Sequence, residues 1–156
     1  DPHMRLTKQT NYAFRILMYC AANGGQLSRV AEIAKAYGVS EPFLFKILQP
    51  LNEGGLIETV RGRNGGIRLA RDAASITLLD VVRLTEDGFS MAECFDREDT
   101  ECPLVETCKL SAALREALNA FFAVLAKHTI ADLARPDGDI GFLLGLEIRK
   151  DAFATA

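Results

Sequence analysis

The stretch "VSEPFLFKILQPLNEGGLIETVRGRNGGIRLA", residues 39–70, decides the fold. Ser40 can cap a helix, Pro42 suits its first turn, and the glycine pair at 54–55 marks its end. Pro50 falls late in this helix and is expected to kink or fray its end. The apolar residues recur at helical spacing and predict one buried stripe, formed by Leu44, Ile47, Leu48 and Leu51.

A β-hairpin is predicted directly after this helix. Leu56, Glu58 and Val60 alternate before a turn, and Ile67 and Leu69 follow it, as expected for two short strands. The turn is rich in residues that accept positive φ, and it contains two arginines. A hairpin in this position is typical of the wing of a winged helix.

A shorter helix is predicted upstream, and it completes a helix-turn-helix. Residues 28–38 begin with Ser28 as the expected cap and end at Gly38, where a tight turn is expected. The buried side of this helix is predicted to contain Val30, Ile33, Ala34 and Tyr37. Two short helices joined by a glycine-containing turn match the motif. Before them, residues 7–23 predict an amphipathic helix in which Cys20 lies on the apolar stripe as a core residue.

The second half of the chain is predicted to be helical on both sides of a cysteine-rich segment. Thr77 can cap the first of these helices, whose apolar positions are Leu78, Val81, Val82 and Thr85. Apolar residues recur from Leu110 to Leu133 and predict a long helix with a wide apolar stripe. A second copy of the chain is the economical cover for this stripe, so we interpret the helix as a dimerisation helix. Packing onto its own winged domain is the alternative.

The predicted fold class is mainly α: a winged helix-turn-helix with a small β-hairpin wing, plus a long C-terminal dimerisation helix. The predicted parts are an expression scar at 1–3, the winged helix-turn-helix DNA-binding domain at 4–86, the cysteine segment at 87–109, the dimerisation helix at 110–135 and a loosely ordered tail at 136–156. A chain of 156 residues has room for one such domain with an appended helix.

Composition and charge argue against some classes of function and favour another. No apolar run approaches the roughly 20 residues that span a bilayer, and the start lacks a signal peptide, so we expect a cytoplasmic protein with no membrane partner. The chain offers no Ser-His-Asp set, phosphate loop or convergent carboxylate pair, so we expect no enzyme. The net charge is −3, but residues 1–72 carry +4 and residues 73–156 carry −7. This asymmetry favours a nucleic-acid partner for the basic half.

Double-stranded DNA is the predicted partner of the winged domain. The second helix of a helix-turn-helix fits the major groove, and arginines on a wing suit a narrow minor groove. Basic and hydroxyl side chains near helix N-termini suit phosphates. The predicted DNA-binding residues are Arg5, Lys8, Ser28, Ser40, Glu41, Pro42, Phe45, Lys46, Arg61, Arg63 and Asn64. A protein-interaction module is the alternative use of a winged helix.

Three cysteines lie in the acidic stretch "AECFDREDTECPLVETCKLS", residues 92–111. Cys94, Cys102 and Cys108 are separated by seven and five residues, among six acids and two bases. No Cys-x-x-Cys pair occurs, which argues against a thioredoxin-like site and a typical zinc finger. Clustered cysteines in a reducing compartment favour metal ligands or a redox centre, and three thiolates can surround an iron–sulfur cluster. Zinc and a disulfide-forming redox switch remain open.

Three segments together resemble a known family. They are "MRLTKQTNYAFRILMY" from Met4, the helix–wing stretch quoted above, and "ITLLDVVR" followed by three cysteines. The chain is similar over Met4 to about Arg135 to the Rrf2 family of bacterial winged-helix regulators, and within it to the rhizobial iron-regulator group. The resemblance implies a homodimer, a palindromic operator and an iron–sulfur cluster held by Cys94, Cys102 and Cys108. A [4Fe–4S] cluster is expected, with [2Fe–2S] as the alternative.

The chain departs from its relatives at the fourth cluster ligand. Family members use either a histidine three residues after the third cysteine or an aspartate from the first helix of the other subunit. Ser111 and Asn11 occupy these positions here, and asparagine is a poor iron ligand. His128 is expected to be solvated or to lie on the dimer face. The resemblance therefore implies three protein ligands and a labile cluster.

A labile cluster implies an iron-responsive repressor. Loss of the cluster would release the acidic segment and change the spacing of the two recognition helices, which must match half-sites about one helical turn apart. The alternatives are a nitric oxide or oxidant sensor with the same cluster, and, in a different class, a zinc-stabilised protein-interaction module. An electron carrier would not need the basic wing.

Overall fold

A computed structural model of the chain describes residues 5–89, 103–104, 107–135 and 140–146. The described residues form seven helices and one antiparallel hairpin. These elements are α1 (Lys8–Ala22), α2 (Val30–Tyr37), α3 (Glu41–Glu53), β1 (Ile57–Val60), β2 (Gly66–Leu69), α4 (Leu78–Thr85), α5 (Lys109–Lys127), α6 (Ile130–Leu133) and α7 (Ile140–Leu143), with a 3-10 turn at Ala73–Ser75. Helices α2 and α3 and the hairpin make the predicted winged helix-turn-helix, which is confirmed.

Helix α1 lies at the centre of the core. It contacts α3, α4, α6 and β2, and its residues Ala13, Ile16 and Leu17 are fully buried. The predicted stripe is confirmed, and Cys20 is a core residue that is only 2% exposed. Burial raises the pKa of the Cys20 thiol to about 12, so this cysteine stays protonated and unreactive.

The recognition helix α3 follows its sequence signals closely. The Ser40 side chain caps it by accepting a hydrogen bond from the Phe43 backbone N–H at 3.3 Å. The four residues predicted to be buried are those that the structure buries. Gly38 closes the turn before the helix with φ +67°. The helix does not fray at Pro50: it continues to Glu53, and the Pro50 carbonyl accepts a hydrogen bond from the Gly54 N–H.

Ser28 does not cap α2, which corrects the sequence prediction. Arg29 holds the cap position and makes no side-chain capping hydrogen bond. The Ser28 backbone instead exchanges two hydrogen bonds of 2.8 Å with Ile67 in the wing. A Cβ on Gly66 would lie 2.6 Å from the Ser28 carbonyl oxygen, so glycine permits this close approach. The base of the wing is thereby fixed to the segment that leads into α2.

The wing strands pair in antiparallel register, with Glu58 opposite Arg68 and Val60 opposite Gly66. The predicted alternation of β1 was wrong. Leu56 and Ile57 are both buried, whereas residues 58–60 are exposed. The strand therefore begins in the core, and its outer part is exposed beside α3.

The long C-terminal helix ends earlier than predicted, which corrects the range 110–135. Helix α5 begins at Lys109 and ends at Lys127. Thr129 then starts α6 with a capping box, in which its side chain accepts from the Asp132 N–H and Asp132 accepts from the Thr129 N–H. Ile130 is fully buried in the core, so the chain turns back onto the winged domain.

Helix α4 was predicted correctly, with a Thr77–Asp80 capping box at its start. The tail is more ordered at 140–146 than expected. This segment forms α7, which contacts α1 and places Leu144 and Leu146 against the core. No helix in the described part of the chain is long and apolar enough to cross a membrane.

Candidate nucleic-acid interface and cysteine segment

The recognition helix exposes the face that the sequence assigned to DNA. Phe45, a large apolar side chain, is 55% exposed. Lys46 is the single basic residue of α3, so this face carries little positive charge of its own. The exposed predicted residues of this surface are Ser40, Glu41, Pro42, Phe45 and Lys46. The face is therefore suited to contact base edges more than to attract phosphates.

The wing next to the exposed face of α3 carries positive charge. Arg61, Arg63 and Asn64 are all exposed in the turn between β1 and β2. The wing is fixed to α3 by a reciprocal pair of hydrogen bonds: the Asn52 amide donates to the Thr59 hydroxyl at 3.0 Å, and that hydroxyl donates back at 3.1 Å. A groove of about 680 Å³ separates the recognition helix from the wing.

A second basic surface lies on α1, next to the start of α3. Lys8 Nζ is 4.8 Å from the centre of the Phe43 ring, and the Arg15 guanidinium carbon is 4.5 Å from the centre of the Tyr12 ring. Cation–π contacts of this kind hold both charges against the protein. Arg15 is exposed and was not predicted, although Lys8, Tyr12 and Arg15 share one face of the helix by spacing. Arg5 is exposed just before α1.

Ser28 does not belong to this surface. It is fully buried, and its hydroxyl accepts a hydrogen bond from the Asn23 amide at 2.9 Å. The prediction that Ser28 contacts DNA phosphates was therefore wrong, because its side chain lies inside the fold. Its backbone pairing with the wing gives it a structural role instead.

Cys108 is the one member of the cysteine triad within the described residues, and Cys94 and Cys102 lie outside them. It occupies the N-cap of α5, and its Sγ accepts a hydrogen bond from the Ser111 backbone N–H at 3.5 Å. The Cys108 sulfur therefore lies at the start of α5, in contact with the first turn of the helix. Among the described residues, no group of three or more His, Cys, Asp or Glu side chains comes together.

The predicted fourth-ligand positions differ from each other in their surroundings. Asn11 is exposed, and its amide nitrogen donates to the backbone carbonyls of Thr7 at 3.0 Å and Leu6 at 3.4 Å. Ser111 is only 9% exposed, in the first turn of α5. His128 is exposed at the break after α5, where its carbonyl accepts a hydrogen bond from Leu78 at 2.9 Å. Cysteine sulfur is a soft donor of the kind that binds iron–sulfur clusters, and Cys108 is the one predicted cysteine ligand whose position the structure describes.

Glu86 connects the entry of the cysteine segment to the start of α1. Its Oε1 accepts hydrogen bonds from the Thr7 N–H at 2.7 Å, the Thr7 hydroxyl at 3.0 Å and the Thr10 hydroxyl at 2.7 Å. The Thr10 hydroxyl also lies 2.7 Å from that of Thr85. We call Thr7, Thr10, Thr85 and Glu86 the Glu86 junction. It was not predicted, because its partners are more than 70 residues apart in sequence.

Only one face of helix α5 is covered by the rest of the described protein. Ser111 is its single buried residue, while Leu110 is 65%, Phe121 40% and Val124 51% exposed. Phe89 packs at 5.0 Å from Phe122, between ring centres, on the covered side. Exposed apolar side chains therefore lie among the polar residues on the rest of the helix, as is common at protein interfaces.

Comparisons with known proteins agree with this architecture. A family model described as Rrf2, iron-dependent transcriptional regulator, matches residues 6–136. Protein aau3 of Rhizobium meliloti is 69% identical, over 92% of this chain and 94% of that protein. The HTH-type transcriptional regulator NsrR of Bacillus subtilis is 43% identical, over 92% and 99%. The solved structure of CymR, the global cysteine regulator of B. subtilis, superposes with a TM-score of 0.64 at 26% identity, over 85% of this chain and 97% of CymR.

Proposed function

This chain belongs to the Rrf2 family of transcriptional regulators, and we propose that it is an iron-responsive repressor that binds a palindromic operator as a homodimer. As a helix-turn-helix regulator it is a DNA-binding protein and not an enzyme. The cytoplasm is its expected location. The observation that carries the proposal is the pairing of an exposed, weakly charged recognition face with arginines on an anchored wing.

The division of charge supports a specific DNA contact. In this proposal α3 reads base edges in the major groove, Arg61 and Arg63 enter the minor groove, and Lys8 and Arg5 contact phosphates. The Asn52–Thr59 pair keeps the wing at a fixed position relative to α3. Both groove contacts can therefore form without rearrangement of the wing base.

The second part of the proposal is a cluster site formed by Cys94, Cys102 and Cys108. A bound iron–sulfur cluster, [4Fe–4S] with [2Fe–2S] as the alternative, would supply an iron core that responds to iron supply and oxidants. Cys108 would contribute its sulfur from the N-cap of α5, where the Ser111 backbone N–H donates to it. Three cysteine ligands leave the fourth site to a non-protein or unidentified group, since Asn11 is a poor donor for iron.

The position of the cysteine segment explains how such a site could control DNA binding. Just before the segment, Glu86 is hydrogen-bonded to the start of α1, the helix that contains Lys8. At the end of the segment, Cys108 is the N-cap of α5. An ordered segment would therefore hold α1 and α5 in one arrangement. The exposed apolar residues of α5 support a homodimer in which α5 contacts a second copy. In such a dimer, the arrangement of α5 would set the distance between the two recognition helices.

The test compares operator affinity of the anaerobically reconstituted protein before and after chelation. We expect at least a tenfold loss of affinity on chelation, together with loss of the brown visible absorption. Cys108→Ser should behave like the chelated protein, and Cys20→Ala, which changes a buried cysteine outside the site, should behave like wild type. Equal operator binding in the loaded and chelated states would contradict the proposal.

Nitric oxide or oxidant sensing is the alternative use of the same site, and the similarity to NsrR proteins favours including it. Separate exposure of the loaded protein to nitric oxide and to an iron chelator ranks the two signals by the concentration needed to release DNA. A colourless, zinc-loaded protein that fails to bind any duplex would instead support a zinc-stabilised interaction module.

A further inference from the structure

We propose that Phe45 recognises the methyl group of a thymine in each operator half-site. This inference rests on the proposed function and names the chemistry that one residue reads. Phe45 lies on the second turn of α3 and is 55% exposed. Glu41 and Gln49, one turn before and one turn after it, are also exposed, so Phe45 is central on the face that enters the major groove.

A phenyl ring can make favourable contact with few of the chemical groups that bases expose in the major groove. It has no hydrogen-bond donor or acceptor, and it carries no charge for a phosphate. Among the four bases, only thymine offers an apolar group there, the C5-methyl group, and contact with phenylalanine is a known way to read it. Helix α3 contains no arginine, so the bidentate arginine contact to guanine is not available from this helix.

The surroundings of Phe45 hold it in place for such a contact. Its neighbour Leu44 and the residue one turn on, Leu48, are 1% and 4% exposed, which fixes the orientation of the helix face. Phe45 lines the groove between α3 and the wing together with Gln49, Asn52 and Val60. Because the wing is hydrogen-bonded to α3 through Asn52, both walls of this groove are positioned before DNA arrives.

The experiment removes one methyl group at a time from the DNA. An operator is first selected from random duplexes with the full-length, cluster-loaded protein, and each thymine is then replaced by deoxyuridine. We expect one position per half-site at which the wild type loses about fourfold in affinity, and about fifteenfold when both half-sites are changed. Phe45→Ala should bind the thymine operator as weakly as wild type binds the deoxyuridine operator, and should show no methyl effect.

Two further variants complete the test. Phe45→Leu keeps an apolar side chain and should retain part of the methyl effect. Phe142→Ala, which removes a phenylalanine that is 77% exposed on α7, should keep all of it. The inference is overturned if every thymine can be replaced without loss, or if Phe45→Ala keeps the methyl effect, and in both cases DNA binding itself would stand. A wild-type protein that selects no duplex would overturn the proposed function as well.

Discussion

The recognition helix α3 and the helix α5 differ in how they are stabilised. Helix α3 buries its whole apolar stripe, with Leu44, Ile47 and Leu51 at most 1% exposed. Helix α5 is six residues longer, yet it buries only Ser111 and leaves Leu110 and Val124 more than half exposed. The apolar stripe of α3 is covered by its own domain, whereas several apolar residues of α5 are left exposed. The winged half should therefore fold on internal contacts, while α5 should depend on a partner copy and on the cysteine segment.

The largest expected effect tests the internal contacts of the winged half. Ile47→Ala should lower the free energy of unfolding by about 2–5 kcal/mol, because it leaves a cavity in a packed core. Leu110→Ala, at a position that is 65% exposed, should cost less than about 1 kcal/mol within one chain. Urea unfolding at low protein concentration measures both. Similar costs for the two variants would remove the proposed contrast between the helices.

A charge on the exposed face of α5 tests its need for a partner copy. Val124→Glu should weaken self-association by about 2 kcal/mol or more, roughly thirtyfold, because an unpaired carboxylate would be buried in the interface. Sedimentation velocity across a concentration series would show a shift toward monomer. Phe142→Glu, on the exposed side of α7, is the matched control and should leave the association unchanged. A dimer that survives Val124→Glu would place the interface elsewhere.

The buried thiol of Cys20 gives a pH-dependent test of the winged core. Its pKa is raised to about 12 in the fold, whereas an unfolded cysteine titrates near about 8.5. The unfolded chain therefore loses this proton first, so the stabilisation is fully present below about pH 8.5 and decreases as the pH rises toward 12. The slope approaches about 1.4 kcal/mol per pH unit within that window.

The control for this effect is Cys20→Ala. Between pH 9 and pH 10 its unfolding free energy should fall less steeply with pH, because the contribution of the Cys20 thiol is removed. Tyr37, whose pKa burial also raises to about 12, contributes in both proteins and cancels in the difference. Unfolding curves of the two proteins at several pH values make the comparison. Parallel pH profiles would show that Cys20 is not held in an apolar core.

The smallest expected effect concerns the Glu86 junction, which lies in the winged half at its boundary with the cysteine segment. Glu86→Gln keeps the shape but removes the charge that accepts three hydrogen bonds at α1. We expect a loss of about 1 kcal/mol in unfolding free energy and faster amide exchange at Thr7 and Thr10. Glu32→Gln, at an exposed position of α2, should have no such effect. Unchanged exchange at α1 would show that the junction does not hold the helix start.

The same contrast explains what the sequence could predict. Helix α3 carries its signals locally, in the Ser40 cap, the apolar spacing and Gly38, so its limits and buried face were predicted correctly. Ser28 was misplaced because its partner, Ile67, comes from a distant strand. The end of α5 was missed because apolar residues continue in period past Lys127, although Thr129 and Asp132 form a readable capping box.

The residues of the candidate site also fall into two groups, those with a local sequence signal and those that only the packing brings together. The exposed residues of α3 and the wing were found from motif and spacing, while Arg15 and the Glu86 junction depend on packing between elements. The ligand roles of Cys94, Cys102 and Cys108 and the fourth-ligand positions stay predictions. The assignment of the triad rests on the family resemblance and on cysteine chemistry, and the structure adds the position of Cys108 at the N-cap of α5.

The bridge between Thr77 and Thr129 has a mechanical consequence for α5. The Leu78 N–H donates to the His128 carbonyl, and the Ile130 N–H donates to the Ile76 carbonyl, so the C-terminal end of α5 is attached to the winged domain. At about 1.5 Å per residue, the N-cap at Cys108 lies roughly 30 Å from this attachment. A tilt of α5 by about 5° about this attachment would therefore move Cys108 by about 2.5 Å.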